Sequence, residues 1–244
     1  MYGIIGGSGL TNLPELITKN NVSIETPYGS PSGPILIGLL DGAEVAFLPR
    51  HGPGHTIAPH SINYRANIWA LREAGVDEIV SVASVGGIRS DLGPETIMLP
   101  DQLIDYTWGR LSTYVQDDAP VTHVDMTEPY SSDLRKKIVD AAERVGERII
   151  VGGVYAATQG PRLETAAEIN RLDRDGADVV GMTGMPEAAL ARELGIPYAT
   201  IGVVVNHAAG RGDSRMRIRM EDLEAALGRA IQRVQRILRE LTRA

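Results

Sequence analysis

The chain has 244 residues, 43% of them hydrophobic, which is enough for one sizeable core. A net charge of −7 argues against a general nucleic-acid binder, and the absence of cysteine excludes disulfides, thiolate metal sites and cysteine nucleophiles. No apolar run reaches the roughly 18 residues of a bilayer span, and the N-terminus lacks the basic-then-apolar layout of a signal peptide, so a soluble, cytoplasmic protein without membrane contact is expected.

Along the chain, "YGIIG" (2–6) reads as a strand that runs into a glycine loop. The Pro-, Gly- and Ser-rich stretch 25–34 reads as a loop, followed by strands at 35–40 and 43–49. A helical period covers 61–75, strands follow at 78–84 and 96–99, and 107–121 reads as a loop. Helices at 131–146, 164–176 and 185–195 alternate with strands at 150–157, 178–182 and 198–205. A last helix, 220–242, sets Leu223, Leu227, Ile231, Val234, Ile237 and Leu241 on one stripe, with acids early and arginines late as its dipole favours. Strands that are continuously apolar and alternate with helices predict an α/β domain whose sheet is covered on both faces. No internal repeat divides 1–244, so one domain is expected.

Four loops have the composition of a binding site. "GIIGGSGL" ends a strand in Gly6, Gly7, Ser8 and Gly9, where backbone N–H groups can approach an anion. "LPRHGPGH" ends another in Arg50 and His51, "VASVGG" ends a third beside Ser84, and "VVGMTGMPE" passes through Met182 and Thr183 into a helix. Taken singly, each suits an ordinary turn. Together, at the carboxyl ends of strands in an open sheet, they describe a pocket for a compact, doubly charged anion. A dinucleotide-binding turn is the competing reading of "GIIGGSGL". It lacks the third glycine, which is Asn12 here, and Pro14 interrupts the helix that should follow. The Walker pattern fails for want of Gly-Lys-Ser/Thr. The five histidines (51, 55, 60, 123 and 207) show no ligand spacing backed by carboxylates, and no metal is expected.

The stretches "GIIGGSGL", "RHGPGHTIAPHSINYRANIWAL", "LGPETIMLPDQLIDYT", "TQGPRLETAAEI" and "GADVVGMTGMPEAALARELGIPYATIGVVVN" resemble the trimeric purine nucleoside phosphorylase and methylthioadenosine phosphorylase family over nearly the whole chain. The resemblance implies a central mixed β-sheet flanked by helices, a homotrimer, and phosphorolysis of a purine nucleoside with inorganic phosphate as co-substrate and no cofactor. It implies phosphate contacts from Ser8, Arg50, His51 and Thr183, helped near Ser84, with Ala83 standing where relatives often carry Asn or Thr. Met182 would line the ribose, and Leu163 and Glu164 the base.

Two positions bear on which purine. Asn206 stands where adenine-specific relatives carry Asp, and its amide can donate to O6 while accepting from a protonated N7. Glu164 stands where 6-oxopurine enzymes carry Glu, and a carboxylate there accepts the N1–H that adenine lacks. Asn206, Glu164 and His51 are therefore the expected catalytic groups. At the 5′ end, Met220 and Leu223 occupy the place where enzymes preferring a free 5′-hydroxyl usually have His. His55 and His123 match positions near the 5′ end, His123 reaching in from a neighbouring subunit. The expected substrate is 5′-methylthioinosine, with inosine or guanosine and methylthioadenosine as alternatives.

Overall fold

In the computed structural model, which describes residues 1–115 and 121–243, the run at Tyr2–Gly6 forms β1. It lies between two parallel neighbours, β4 (Ala43–Pro49) and β5 (Glu78–Gly87). Ile4, Ile5, Val45, Phe47, Ile79 and Val80 on these strands are all at most 1% exposed, as their unbroken apolar sequences require. Beyond β4 the sheet continues antiparallel through β3 (Ile35–Leu40) to β2 (Ile17–Val22) at the edge. On the other side, β5 pairs in parallel with β11 (Tyr198–His207), which leads on to β6 (Ile97–Leu99) and β8 (Ile150–Val151). A second branch leaves the end of β5 through β10 (Val179–Gly181), β9 (Val154–Ala157) and β7 (Gln102–Asp105). The sheet is mixed, as expected.

Helices cover both faces. On one, α2 (Ser132–Arg144) and α5 (Met220–Arg243) pack over β1, β4, β5, β6 and β11; on the other, α1 (Tyr64–Glu73) and α4 (Gly184–Glu193) pack over β1, β4, β5 and β11. The fifth, α3 (Ala166–Arg174), packs Ile169 and Leu172 against Ala156 and Val180. Their starts are written in the sequence: Asn63 caps α1, Ser131 caps α2, and Thr165 with Glu168 forms a capping box on α3. In α5, Ile231, Val234, Ile237 and Leu241 are buried as the stripe predicts. Each contributes about 1.5–3 kcal/mol by leaving water. Among the described residues no helix is long and apolar enough to cross a membrane.

Three strand assignments differ from the sequence reading. The β2 strand, "ITKNNV", is polar and exposed, so it carries no apolar signal; β7 is short and only half-buried. The run 150–157 is two strands, because Gly152 and Gly153 at φ 91° and 115° turn the chain between them. No helix follows β1, which leads by a turn to β2; this removes the dinucleotide-binding architecture. Of the loop expected at 107–121, residues 116–120 lie outside the described residues.

The topology also opens a gap. One edge of β5 is bonded to β11 along Ile79–Gly87. On its opposite edge β1 pairs as far as Ser81, and β10 pairs only with Gly86 and Gly87. Among the described residues Val82–Val85 therefore have no strand partner on that edge, at the point where the sheet branches.

Candidate active site

A cavity fills this gap, and the ends of five strands line it: Gly7 and Ser8 after β1, Arg50 and His51 after β4, Ala83–Gly86 on β5, Met182 and Thr183 after β10, and Asn206 on β11. Leu163, Glu164 and Leu223 also line it. Ten of the thirteen residues expected from sequence thus come together, namely Ser8, Arg50, His51, Ser84, Leu163, Glu164, Met182, Thr183, Asn206 and Leu223.

At the inner end, Arg50 has no exposed surface. Its Nε donates to Glu187 Oε2 (2.8 Å), Nη2 to Glu187 Oε1 (2.9 Å) and Ser81 Oγ, and Nη1 to the Val82 carbonyl (2.9 Å). Burial works against the guanidinium charge, but the Glu187 carboxylate more than offsets it and raises the pKa above the ordinary arginine value. Four of the five guanidinium N–H groups are thereby used, leaving one on Nη1. Gly7 must be glycine for this arrangement, because a Cβ there would lie 2.8 Å from Nη1 and 2.5 Å from the Val82 oxygen.

His51 sits beside Arg50 and is 7% exposed. Its Nδ1 lies 2.8 Å from the Ile57 carbonyl; a carbonyl only accepts, so Nδ1 carries the hydrogen and Nε2 is left as a lone pair. Burial first, then the Arg50 charge, lower its pKa to about 4, so the ring is neutral at physiological pH. Next to it stands His55, ring centroids 4.5 Å apart, with Nε2 3.5 Å from Ser8 Oγ. Thr183 is buried at the start of α4, where Tyr155 Oη accepts from its backbone N–H. The inner end therefore offers two hydroxyls, one guanidinium N–H and one imidazole lone pair.

Elsewhere in the lining, Thr158 Oγ1 donates to Glu164 Oε1 (2.7 Å), and among the described residues the second carboxylate oxygen has no hydrogen-bond donor. Asn206 follows a bulge in β11, where the register with β5 shifts between Val204 and Asn206. Its Nδ2 donates one hydrogen to the His207 carbonyl (2.6 Å). The second amide hydrogen and the carbonyl oxygen remain free to pair with a ligand. Such an edge can read a heterocycle bearing neighbouring acceptor and donor groups.

The remaining wall is apolar, made by Leu223, Ile218 and Pro59. Met220, on the first turn of α5, is 60% exposed and does not line the cavity; Ile218 occupies the place expected of it. His55 reaches Ser8 and His51 but is exposed and does not line the cavity, and His123 is likewise exposed and does not line it. Sequence reasoning missed Glu187, Thr158 and Ile218. A signal existed only for Glu187, a lone acid within the apolar stretch "GMPEAAL". Among the described residues no group of three or more His, Asp or Glu could hold a metal.

The family model described as "Phosphorylase superfamily" matches residues 1–243. A protein of Xanthomonas campestris pv. campestris named "Probable S-methyl-5'-thioinosine phosphorylase" is 49% identical over 241 residues, covering 98% of this chain and 96% of its own. The "6-oxopurine nucleoside phosphorylase" of Pyrococcus furiosus is 45% identical over 219 residues, covering 87% and 82%. Among solved structures, methylthioadenosine phosphorylase from Schistosoma mansoni in complex with adenine superposes with a TM-score of 0.93 at 30% identity, covering 99% of this chain and 90% of that one.

Proposed function

Because the chain belongs to the phosphorylase superfamily and is an enzyme of the nucleoside phosphorylase type, we propose that it cleaves 5′-methylthioinosine with inorganic phosphate, giving hypoxanthine and 5-methylthioribose 1-phosphate. A phosphate oxygen bonds to C1′ as the C1′–N9 bond breaks, and the bonding pair leaves with the purine. The protein's task is to hold the two reactants in line and to stabilise charge where it grows. Ser8, Thr183, the free Nη1 hydrogen of Arg50 and backbone near Ser84 hold the phosphate, and His51 accepts a phosphate O–H through Nε2. Met182 borders the sugar. Asn206 donates to O6 and accepts from a protonated N7, and Glu164 accepts N1–H.

One observation carries this reading: Glu164 and Asn206 line the same cavity as the Arg50–His51 pair, with Leu223 and Ile218 forming an apolar wall. A thioether loses little on meeting that wall, whereas an unpartnered 5′-hydroxyl costs about 1–3 kcal/mol. Steady-state kinetics with phosphate and methylthioinosine, inosine or methylthioadenosine test it. A preference for methylthioadenosine would overturn the base assignment, and a preference for inosine the 5′ assignment.

The reading extends to a single nucleoside phosphorylase domain acting in the cytoplasm as a homotrimer, without cofactor, metal or nucleic acid. The exposure of His123 in an isolated subunit supports a role in a neighbour's site, as do the exposed apolar side chains of Trp108, Leu111 and Val121. Light scattering should give three subunits, and His123→Ala should lower turnover without unfolding the protein. A fully active monomer would contradict the trimer.

A further inference from the structure

Arg110 belongs to none of the loops that line the cavity, yet its guanidinium bonds to two of them. Nη2 donates to the Thr158 carbonyl (3.2 Å) and the Gln159 carbonyl (2.9 Å), and Nε to Gln159 Oε1 (3.1 Å). Nη1 faces the carbonyls of Met182 (2.8 Å) and Met185 (2.6 Å), and Tyr64 Oη at 3.2 Å. The same group therefore ties the segment after β9 to the segment after β10. The first leads to Glu164, whose Oε1 is held by Thr158 Oγ1; the second contains Thr183 between its two bonded carbonyls. The tie to β9 is reinforced by the Trp108 N–H, which donates to Gln159 Oε1 as well. A planar fork of five donors can serve both segments at once; an ammonium is a single point with three.

We propose that Arg110 is a positioning residue for the reaction, fixing the base-reading Glu164 segment at a set distance from the phosphate-side Met182–Met185 segment. The inference rests on the phosphorolytic reading given above. Nothing in it requires Arg110 to touch either substrate. Without the guanidinium, four backbone carbonyls lose their shared donor, and among the described residues the hydrogen bonds left between the two segments are those of the β9–β10 strand pair, those from Thr158 to the Gly181 carbonyl and that from the Thr183 N–H to Tyr155 Oη. Thr158 then no longer presents its hydroxyl to Glu164 at a fixed angle. Both the alignment of nucleoside with phosphate and the discrimination at the purine N1 edge weaken together.

The test is Arg110→Ala, assayed with phosphate on a 6-oxopurine nucleoside and its 6-amino counterpart, with and without added guanidinium chloride. Sodium chloride at equal ionic strength is the control. The expected result is a fall of about a hundredfold in kcat/KM on the 6-oxo substrate, since a displacement of about 1 Å costs that much. The 6-oxo over 6-amino ratio should narrow. Guanidinium, but not sodium chloride, should restore a measurable part of both. Unchanged kcat/KM and ratio overturn the proposal; so does a loss that guanidinium leaves untouched and that follows a lowered melting temperature. Should Arg110→Ala not fold, Thr158→Val removes the hydroxyl at the far end of the same chain of contacts. A narrowed ratio in that variant supports the proposal, and an unchanged ratio overturns it. Absence of phosphorolysis in the parent protein on every nucleoside overturns the functional reading, and this inference with it.

Discussion

Glu187 grips Arg50 in a two-point ion pair in which neither side chain has any exposed surface. The residues are 137 positions apart in sequence, and Tyr198 Oη donates to the same carboxylate at 2.7 Å. A buried pair of this kind is costly to break and much less costly to replace, because a lone buried charge has no solvent to turn to. Arg50→Ala should therefore destabilise the protein by about 3–5 kcal/mol, through Glu187 as much as through the lost arginine. The double variant Arg50→Met with Glu187→Leu should recover most of that stability while phosphate affinity stays lost. Chemical denaturation gives the first quantity and the phosphate KM the second. Recovery of phosphate affinity in the double variant would remove Arg50 from the anion site.

His51 gives a dependence on pH with a definite sign. Its folded pKa of about 4 lies below the ordinary value of 6.5, because burial and Arg50 disfavour the imidazolium. Between those values the unfolded chain binds a proton that the folded chain does not. The stability due to this group is thus fully present above about pH 6.5 and declines as pH falls toward 4. Thermal melts across that window should show a shallower decline for His51→Gln than for the parent. Equal slopes would mean that the folded and unfolded pKa values of His51 coincide, and that burial and Arg50 do not hold the ring neutral through that window.

How far the sequence could be read varied with the kind of signal involved. The strands β1, β4 and β11 were legible because a strand covered on both faces must be apolar throughout. Strand β2 was not, since an exposed edge strand is under no such demand. Within the site, Asn206 and Glu164 were found through the family resemblance, whereas Arg50 and Thr183 stood out by their local setting at strand ends. Their partners did not. Glu187 meets Arg50, and Arg110 meets Met182, only through the folding of distant segments. Ile218 displaced Met220 from the cavity wall because α5 begins only at Met220, placing Ile218 in the connection ahead of it.

Leu223 and Ile218 set the next expectation. Both line the cavity, and Leu223 also packs on the core beneath α5. Leu223→Ala should lower kcat/KM for methylthioinosine by roughly ten- to a hundredfold, the worth of a few methylenes in an apolar pocket. The loss on inosine should be smaller, because a hydroxyl gains less from that wall. Parallel kinetics on the two substrates decide the matter, and equal losses would show that Leu223 supports the helix without reading the 5′ group.

The base edge gives the sharpest comparison. Glu164 has one oxygen held by Thr158 and the other free, and Asn206 has one amide hydrogen on His207 and the other free. A 6-oxopurine fills these vacant positions with N1–H, O6 and a protonated N7. Adenine offers no proton at N1, so it leaves the Glu164 carboxylate facing a lone pair. A mismatch of that kind in a site built for hydrogen bonding should cost roughly 10³-fold or more in kcat/KM. Asn206 meets charge that develops only as the base departs, so replacing it should lower kcat more than it raises KM. Asn206→Asp should lose most activity on 6-oxo nucleosides and gain some on 6-amino ones. That gain should stay partial while Glu164 remains, and become larger when Glu164→Ser is added. Equal cleavage of methylthioadenosine and methylthioinosine by the parent protein would contradict the roles of both residues.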